Sequence, residues 1–354
     1  MTALGLAIAG TLNELDVLGK SPSLALTSSS SDFRNPRRAD AVRSRKGTPA
    51  PFLPRNIPQT LRNLALKIVC LLALCSFTLG DRPAYRLFAA DGKPADYDQM
   101  LTDLAQADVV LFGEQHNDPL AHWLELQVAK DLQRLKGPGK LVLGMEMFER
   151  DVQPLVARYA AGTLPDSAFE RQARPWPNYD TDYRPLLQFA QARGIAVVGT
   201  NAPRPFAQQV ARGSLTALDK LPAADRALLA PLPLKVDYEL PGYKNMAAMF
   251  GGGAGSPHGG GAQTIIQAQA LKDATMAYFI RSSRQPGQTL LHLNGSYHSD
   301  HHDGIVAYLR QGGPALKIRT ISVATQAQLD RLAKENVDLA DYVVVVPEDM
   351  NKTY

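Results

Sequence analysis

The chain has 354 residues, enough for one large domain or two small ones. Its formal charge of +4 comes from residues 1–80, where ten Lys/Arg face four Asp/Glu, while the remainder has 28 Lys/Arg against 30 Asp/Glu. A near-neutral body argues against nucleic acid as a partner, since that needs a basic surface. Both cysteines, Cys70 and Cys75, lie in one apolar stretch, which excludes a disulfide scaffold, a cysteine nucleophile or a thiolate metal site after residue 75.

Residues 61–80, LRNLALKIVCLLALCSFTLG, have the pattern of a secretory signal peptide, with Arg62 and Lys67 before a short apolar core. The segment LALC resembles a lipobox in which Cys75 would be lipidated, although Leu74 stands where a small residue is usual; simple cleavage after Gly80 is the alternative. Residues 1–60 are rich in Ser, Pro and Arg, and we interpret them as a disordered leader or a gene-calling artefact.

The body alternates strands and helices. A strand at 85–89 precedes a helix at 97–107, and an apolar strand at 108–112 leads into a helix that begins at Pro119, with Asp118 as its N-cap, and ends at 137–139. The next strand, 140–148, is followed by a helix at 151–161, a loop-rich segment and a helix at 184–194. A strand at 195–201 then leads into another helix.

Residues 214–262 show little periodicity, and we expect an irregular insertion or flap there. The pattern then predicts a helix at 262–283, a strand at 289–293, a helix at 303–313, a strand at 315–323, a helix at 325–336 and a last strand at 341–347. Apolar strands separated by helices indicate a three-layer α/β domain over residues 81–354, with a mostly parallel central sheet and helices on both faces.

Ligands of open α/β sheets bind outside the carboxyl ends of the strands, and polar residues gather at those ends here. Glu114 and His116 follow the strand at 108–112, Glu146 lies near the end of the next strand, and His298 follows the strand at 289–293. GEQH (113–116) and GSYH (295–298) are both Gly-x-x-His, and we expect each glycine to let the backbone turn sharply off its strand. The sequence therefore predicts one site at this edge.

Several segments in this order resemble the ChaN-like haem-binding uptake lipoproteins of the Tiki/ChaN superfamily: VLFGEQHNDPLAHWLELQVAKDL, GMEMFERDVQPLV, YRPLLQFAQARGIAVVGTNAPR, QAQALKDATMA and NGSYHSDHHDGI. The resemblance covers about residues 84–346. It implies an exported protein of the periplasm or outer membrane, anchored by lipid if Cys75 is acylated, that binds haem for iron acquisition. Contacts with other haem-uptake components and a homodimer remain open.

For haem, the sequence offers axial ligands and an apolar slot. The candidates are His116, His122, Tyr297, His298, Tyr179 and Tyr183, and the sequence does not say which of them binds the iron.

The wider superfamily includes hydrolases with paired Gly-x-x-His motifs and a glutamate. By that analogy Glu114, His116, Glu146 and His298 are the catalytic or divalent-metal candidates in an alternative, hydrolytic function. Weaker candidates are His258 in a glycine-rich run, Asn201, Trp176, and His301 and His302, for which we expect a solvated loop that caps the next helix.

Overall fold

The computed structural model describes residues 82–251 and 261–354, and the single residue Gln59. The leader at 1–60, the signal segment at 61–80 with Cys75, and His258 lie outside the described residues, Gln59 apart. Residues 83–354 form one compact unit. Within the part of the chain that is described, no helix is both long and apolar enough to cross a membrane.

A seven-stranded sheet with the order β1-β7-β6-β2-β5-β3-β4 forms the centre of this unit. Every neighbouring pair runs parallel except β1 and β7, which pair antiparallel. The strands are β1 (Arg86–Ala89), β2 (Val109–Glu114), β3 (Leu141–Glu149), β4 (Ala196–Asn201), β5 (Thr289–Gly295), β6 (Ile318–Gln326) and β7 (Tyr342–Pro347).

Helices cover both faces of the sheet, so the three-layer α/β prediction is confirmed. They are α1 (Tyr97–Leu104), α2 (Pro119–Lys136), α3 (Gln153–Ala160), α4 (Asp166–Gln172), α5 (Arg184–Arg193), α6 (Arg204–Gly213), α7 (Ala223–Arg226), α8 (Pro241–Gly251), α9 (Ala262–Ser283) and α10 (Ile305–Gln311). Helices α1 to α5 pack on one face and α9 and α10 on the other.

Strand β2 shows why its sequence is apolar throughout. Val110 and Phe112 belong to the core under α1 to α5, whereas Val109 and Leu111 belong to the core under α9 and α10. Successive side chains of a strand point to opposite faces, so a strand covered on both sides needs apolar residues at every position.

Helix α2 begins where the sequence predicts. The Asp118 carboxylate accepts hydrogen bonds from the backbone N–H groups of Leu120 and Ala121, with Pro119 at the first helical position. The helical spacing of Leu120, Trp123/Leu124, Val128, Leu132 and Leu135 predicts a buried stripe, which is wrong at two positions because Trp123 and Leu135 are about half exposed. Trp123 instead contacts the ring of Tyr85.

The helix predicted at 325–336 is wrong. Strand β6 continues to Gln326, and only Lys334–Asn336 forms a 3₁₀ turn. The Gln326 amide donates to the carbonyls of Gln328 and Arg331 and accepts from the Ala333 N–H and the Asn336 side chain. These four hydrogen bonds wrap the following loop around one side chain, an arrangement that helical spacing does not reveal.

The described part of the weakly periodic segment at 214–262 contains two α-helices that its sequence pattern does not predict, the short α7 and the longer α8. Helix α8 packs Tyr243 and Met246 against Ile266 and Ala270 of α9. Its glycines and its short apolar stripe weaken the periodicity, and burial against α9 supplies the stability that local propensity lacks.

Candidate functional site

The site lies where the carboxyl ends of β2, β5 and β3 meet. Because β5 pairs with β2 on one side and β3 on the other, Glu114, Gly295 and Glu146 come together from distant parts of the chain. The Gly295 N–H donates to Glu146 Oε2 at 2.8 Å. Pairing of β3 with β4 shifts register between Met145 and Glu149, and such bulges redirect side chains at a sheet edge.

The two Gly-x-x-His motifs pack against each other. Their glycines allow this close packing and do not form the sharp turns that the sequence predicted. Gly113 and Gly295 do not have positive φ angles. A Cβ on Gly113 would lie 2.9 Å from the Cα of Ser296, and a Cβ on Gly295 would lie 2.7 Å from the ring of His116. Each glycine therefore provides room for the other motif rather than a sharp turn.

Glu114 is buried at the end of β2 and holds the first histidine. Its Oε1 accepts a hydrogen bond from the Tyr183 hydroxyl at 2.6 Å and lies 2.7 Å from His116 Nδ1. Burial opposes ionisation, but the charge of His122 and the hydrogen bond from His116 outweigh it and lower the pKa of Glu114 to about 2. Glu114 is therefore an anion whose position is fixed by two donors.

His116 is partly exposed and keeps one ring nitrogen without a partner among the described residues. Its side chain is 17% exposed, whereas the Glu114 side chain is fully buried. Its Nδ1 faces Glu114, and its Nε2 has no hydrogen-bond partner among the described residues. Burial lowers the pKa of His116, but the hydrogen bond to Glu114 raises it above the ordinary value. The edge of its ring contacts the half-buried Trp176, with ring centroids 4.9 Å apart.

His122, on the first turns of α2, lies behind His116. Its Nδ1 donates to Glu125 at 3.1 Å, and its Nε2 donates to the His116 carbonyl at 3.1 Å and lies 3.4 Å from Asp182. Burial disfavours its charge, but the charges of Glu114 and Glu125 raise the pKa of His122 to about 10. Both ring nitrogens are thus engaged.

Glu146 and His298 form a second buried pair. His298 Nε2 lies 3.2 Å from Glu146 Oε1, and Nδ1 donates to the Asp273 carboxylate. Burial opposes both charges, yet Glu146 and Asp273 raise the pKa of His298 to about 10, and His298 holds the pKa of Glu146 well below its usual range. His298 is therefore an imidazolium between two carboxylates.

Two acidic residues of these clusters were missed from the sequence. Asp273 lies on the buried face of α9 and also accepts from the Tyr243 hydroxyl at 2.7 Å. Glu125 lies three residues after His122 on the buried face of α2. In each case the sequence feature that could have identified the residue is a carboxylate among the apolar residues of a helix face, because a buried carboxylate needs a charged partner.

The tyrosine candidates lie in three different environments. Tyr183 is buried and bound to Glu114. Tyr179 is buried among Phe148 and Phe169, away from the interlocked motifs. Tyr297 is half buried, and its hydroxyl donates to the Gly242 carbonyl at the start of α8. Of the three, Tyr297 has the side chain with access to solvent.

The histidines after His298 do not join the cluster. His301 is exposed and His302 contacts Thr320 and Asp341 on the far side of the loop. Asp303 accepts from the Gly242 N–H instead of capping α10, whose N-cap makes no side-chain hydrogen bond. The expectation of a helix-capping loop is therefore wrong.

The side-chain nitrogen and oxygen atoms that are free to act as ligands determine whether the site can hold haem or a metal ion. A haem needs an axial ligand with access from solvent beside an apolar surface, and His116 with Trp176 fits that requirement. His122 and His298 do not fit as they stand, because carboxylates and a carbonyl engage their ring nitrogens. The predicted metal set of Glu114, His116, Glu146 and His298 is divided between two ion-paired clusters; the described residues instead bring together Glu114, His122 and Glu125.

Among solved structures, ChaN of Campylobacter jejuni, described with cofacial haem binding, matches with a TM-score of 0.57 and 16% identity, over 74% of this chain and 96% of that chain. The type III effector HopBA1 matches with a TM-score of 0.41 and 13% identity, over 74% and 99%. The effector domain RRSP of Vibrio vulnificus matches with a TM-score of 0.33 and 18% identity, over 73% and 44%.

No curated protein matches the chain significantly. A family model described as haem-binding uptake, Tiki superfamily, ChaN matches residues 100–309, which is more than half of the chain and includes both Gly-x-x-His motifs. The chain therefore belongs to the ChaN family of haem-binding uptake proteins in the Tiki superfamily.

Proposed function

We propose that this protein is exported and binds haem, and that it serves haem or iron acquisition. The proposal is supported by its membership of the ChaN family and by one observation at the site. His116 combines an Nδ1 that faces the Glu114 carboxylate with an Nε2 that has no hydrogen-bond partner among the described residues, on a partly exposed side chain.

That arrangement suits an axial iron ligand. A carboxylate that accepts the second ring N–H of a ligating histidine fixes the tautomer and increases the basicity of the ligating nitrogen. Glu114 occupies that position, and the Tyr183 hydroxyl fixes Glu114 in turn. Trp176 offers an apolar edge beside the ring. When bound, the haem itself supplies the iron, and the chain holds and orients it.

A hemin titration of the purified protein tests the proposal. Wild type is expected to shift the Soret band with a defined stoichiometry at micromolar hemin. His116→Ala is expected to weaken binding at least about 10-fold, because the ligand itself is lost and even loss of an outer-shell partner costs that much. His301→Asn is the matched control, since His301 is exposed and makes no contact with the cluster. The absence of a Soret shift in wild type would contradict haem binding. Equal hemin affinities of His116→Ala and His301→Asn would contradict the assignment of His116 as the ligand.

Export and anchoring belong to the same proposal. The support is the signal-like segment at 61–80 and the lipobox-like LALC that ends at Cys75. Mass spectrometry of the mature protein from membrane and soluble fractions distinguishes a diacylated Cys75 from cleavage after Gly80. Retention of residues 1–60 in the mature chain would contradict both.

A hydrolase is the second candidate, and the Glu114–His116 pair supports it. An imidazole whose Nδ1 is held by a carboxylate can accept a proton at Nε2, which is the role of a general base. Hydrolysis of ester and peptide substrates that falls with His116→Ala and persists in the absence of hemin would support this candidate. Activity that is equal in wild type and variant would exclude it.

A further inference from the structure

Three buried ligating groups converge behind His116, between β2 and α2. Glu114 Oε2 lies 3.7 Å from His122 Nδ1, which lies 3.1 Å from Glu125 Oε2. One ligating atom of each residue lies within 4.8 Å of the other two. Glu114 and Glu125 are each 1% exposed and His122 is 5% exposed. These three residues are called the inner triad.

Two carboxylate oxygens of the inner triad lack a hydrogen bond among the described residues. They are the buried Glu114 Oε2 and Glu125 Oε1, whereas Glu114 Oε1 has two hydrogen-bond partners. Buried carboxylates are normally saturated with donors, and an orphaned anionic oxygen away from water is costly. The unpartnered Glu114 oxygen is the one that faces His122.

We propose that the inner triad is a site for one divalent transition-metal ion, bound by Glu114 Oε2, a Glu125 carboxylate oxygen and His122 Nδ1. One imidazole nitrogen with two carboxylate oxygens suits Zn²⁺ or Mn²⁺. The ion's charge offsets the two carboxylates, and it gives both orphaned oxygens a partner. His122 releases its Nδ1 proton when the ion binds.

The surroundings of His122 already suit a ligand. Its second nitrogen donates to the His116 carbonyl and faces Asp182, contacts that fix the ring and leave Nδ1 directed at the two carboxylates. Histidines that bind metals commonly donate their other N–H to a carbonyl or carboxylate in this way.

The inner triad is separate from the haem proposal but shares Glu114 with it. Glu114 would hold the ion through Oε2 and His116 through Oε1. Metal binding and hemin binding have different readouts, so either proposal can fail alone.

Untagged full-length protein, stripped with a chelator, is titrated with Zn²⁺ by calorimetry, and bound metal is counted by mass spectrometry. Co²⁺ is the spectroscopic probe, because its visible absorption reports on nitrogen and oxygen ligands. One equivalent of Zn²⁺ with proton release, and a Co²⁺ spectrum that Zn²⁺ abolishes, are expected. Protein that takes up neither ion overturns the proposal and leaves a shared proton between the carboxylates.

Glu125→Gln and His122→Gln are the test variants, and each is expected to weaken Zn²⁺ binding at least about 10-fold. His301→Asn is the matched control on the surface and is expected to retain the site, while Glu146→Gln tests whether the second cluster holds the ion instead. Circular dichroism and thermal unfolding show that each variant is folded. Loss of the metal in Glu146→Gln with retention in Glu125→Gln places the ion elsewhere and overturns the proposal.

Discussion

The imidazole of His116 lies so close to Gly295 that a Cβ on the glycine would be 2.7 Å from ring atoms Cε1 and Nε2. Gly295→Ala is therefore expected to push the His116 ring off Glu114 or to bend the end of β5, at a stability cost of about 1–3 kcal/mol. Hemin affinity is expected to fall by a similar factor to that of His116→Ala.

The control for this prediction is Gly261→Ala, since a Cβ at Gly261 would meet nothing within 4 Å. Urea unfolding and hemin titration measure both effects. Wild-type hemin affinity in Gly295→Ala would contradict the interlocked arrangement.

Protein stability is expected to fall as pH rises through the alkaline range, because of His298. The pKa of His298 is raised from 6.5 to about 10, so between these values the folded protein retains a proton that the unfolded chain loses. The contribution is therefore complete below about pH 6.5 and is lost by about pH 10. Glu146 and Asp273 favour the proton, whereas His116 and burial oppose it.

Asp273→Asn removes one of the two carboxylates that face His298, so the upper limit of this pH window is expected to move down. Urea unfolding at several pH values, with His298 followed by NMR, measures the change. An unchanged titration of His298 in Asp273→Asn would show that this carboxylate does not stabilise the imidazolium.

Tyr183→Phe removes the buried hydroxyl that donates to Glu114 Oε1. The loss is expected to destabilise the fold by about 1–3 kcal/mol, since a hydrogen bond to a charged group is lost. The pKa of Glu114 is expected to rise. Tyr179→Phe is the matched control, because among the described residues the Tyr179 hydroxyl makes no hydrogen bond to a charged group. Equal unfolding free energies of the two variants would show that the hydrogen bond from Tyr183 to Glu114 does not stabilise the fold.

Gln326→Leu is expected to loosen the loop that follows β6. Four hydrogen bonds end on this side chain, and their loss is expected to cost about 2–4 kcal/mol, each contributing roughly 1 kcal/mol. Hydrogen exchange of residues 328–336 should accelerate while exchange in β2 and β5 stays slow. Uniform protection in the variant would contradict this function of Gln326.

Hydrophobic periodicity and the residues that cap or end helices were sufficient to predict most of the fold. The apolar runs of β2 and β7, the Asp118–Pro119 start of α2 and the bounds of α9 follow from local rules that tertiary packing does not override. The loop after β6 and helix α8 could not be predicted, because long-range contacts decide both: the wrapping of a chain around Gln326, and burial of α8 against α9.

At the site, the sequence could indicate which strand ends carry chemistry but not which groups pair. Glu114, Glu146 and His298 all lie at one edge as expected, but the second partner of His298, besides Glu146, is Asp273, 25 residues earlier on a helix. That pairing depends on how α9 packs against the sheet. The sequence also could not show why Gly113 and Gly295 must be glycines, because the cause is a contact between two motifs separated by about 180 residues.

The hydrogen bond from Tyr297 to the Gly242 carbonyl has a consequence for ligand exchange. Gly242 also donates to Asp303, and Tyr243 donates to Asp273 of α9, so three hydrogen bonds hold the start of α8, one of them to the second motif. If Tyr297 bound the iron of the proposed haem as a phenolate, it would give up this hydrogen bond to the Gly242 carbonyl. Release of α8 and binding at Tyr297 would then be linked equilibria, so a change that loosens α8 would raise the affinity of Tyr297 for haem.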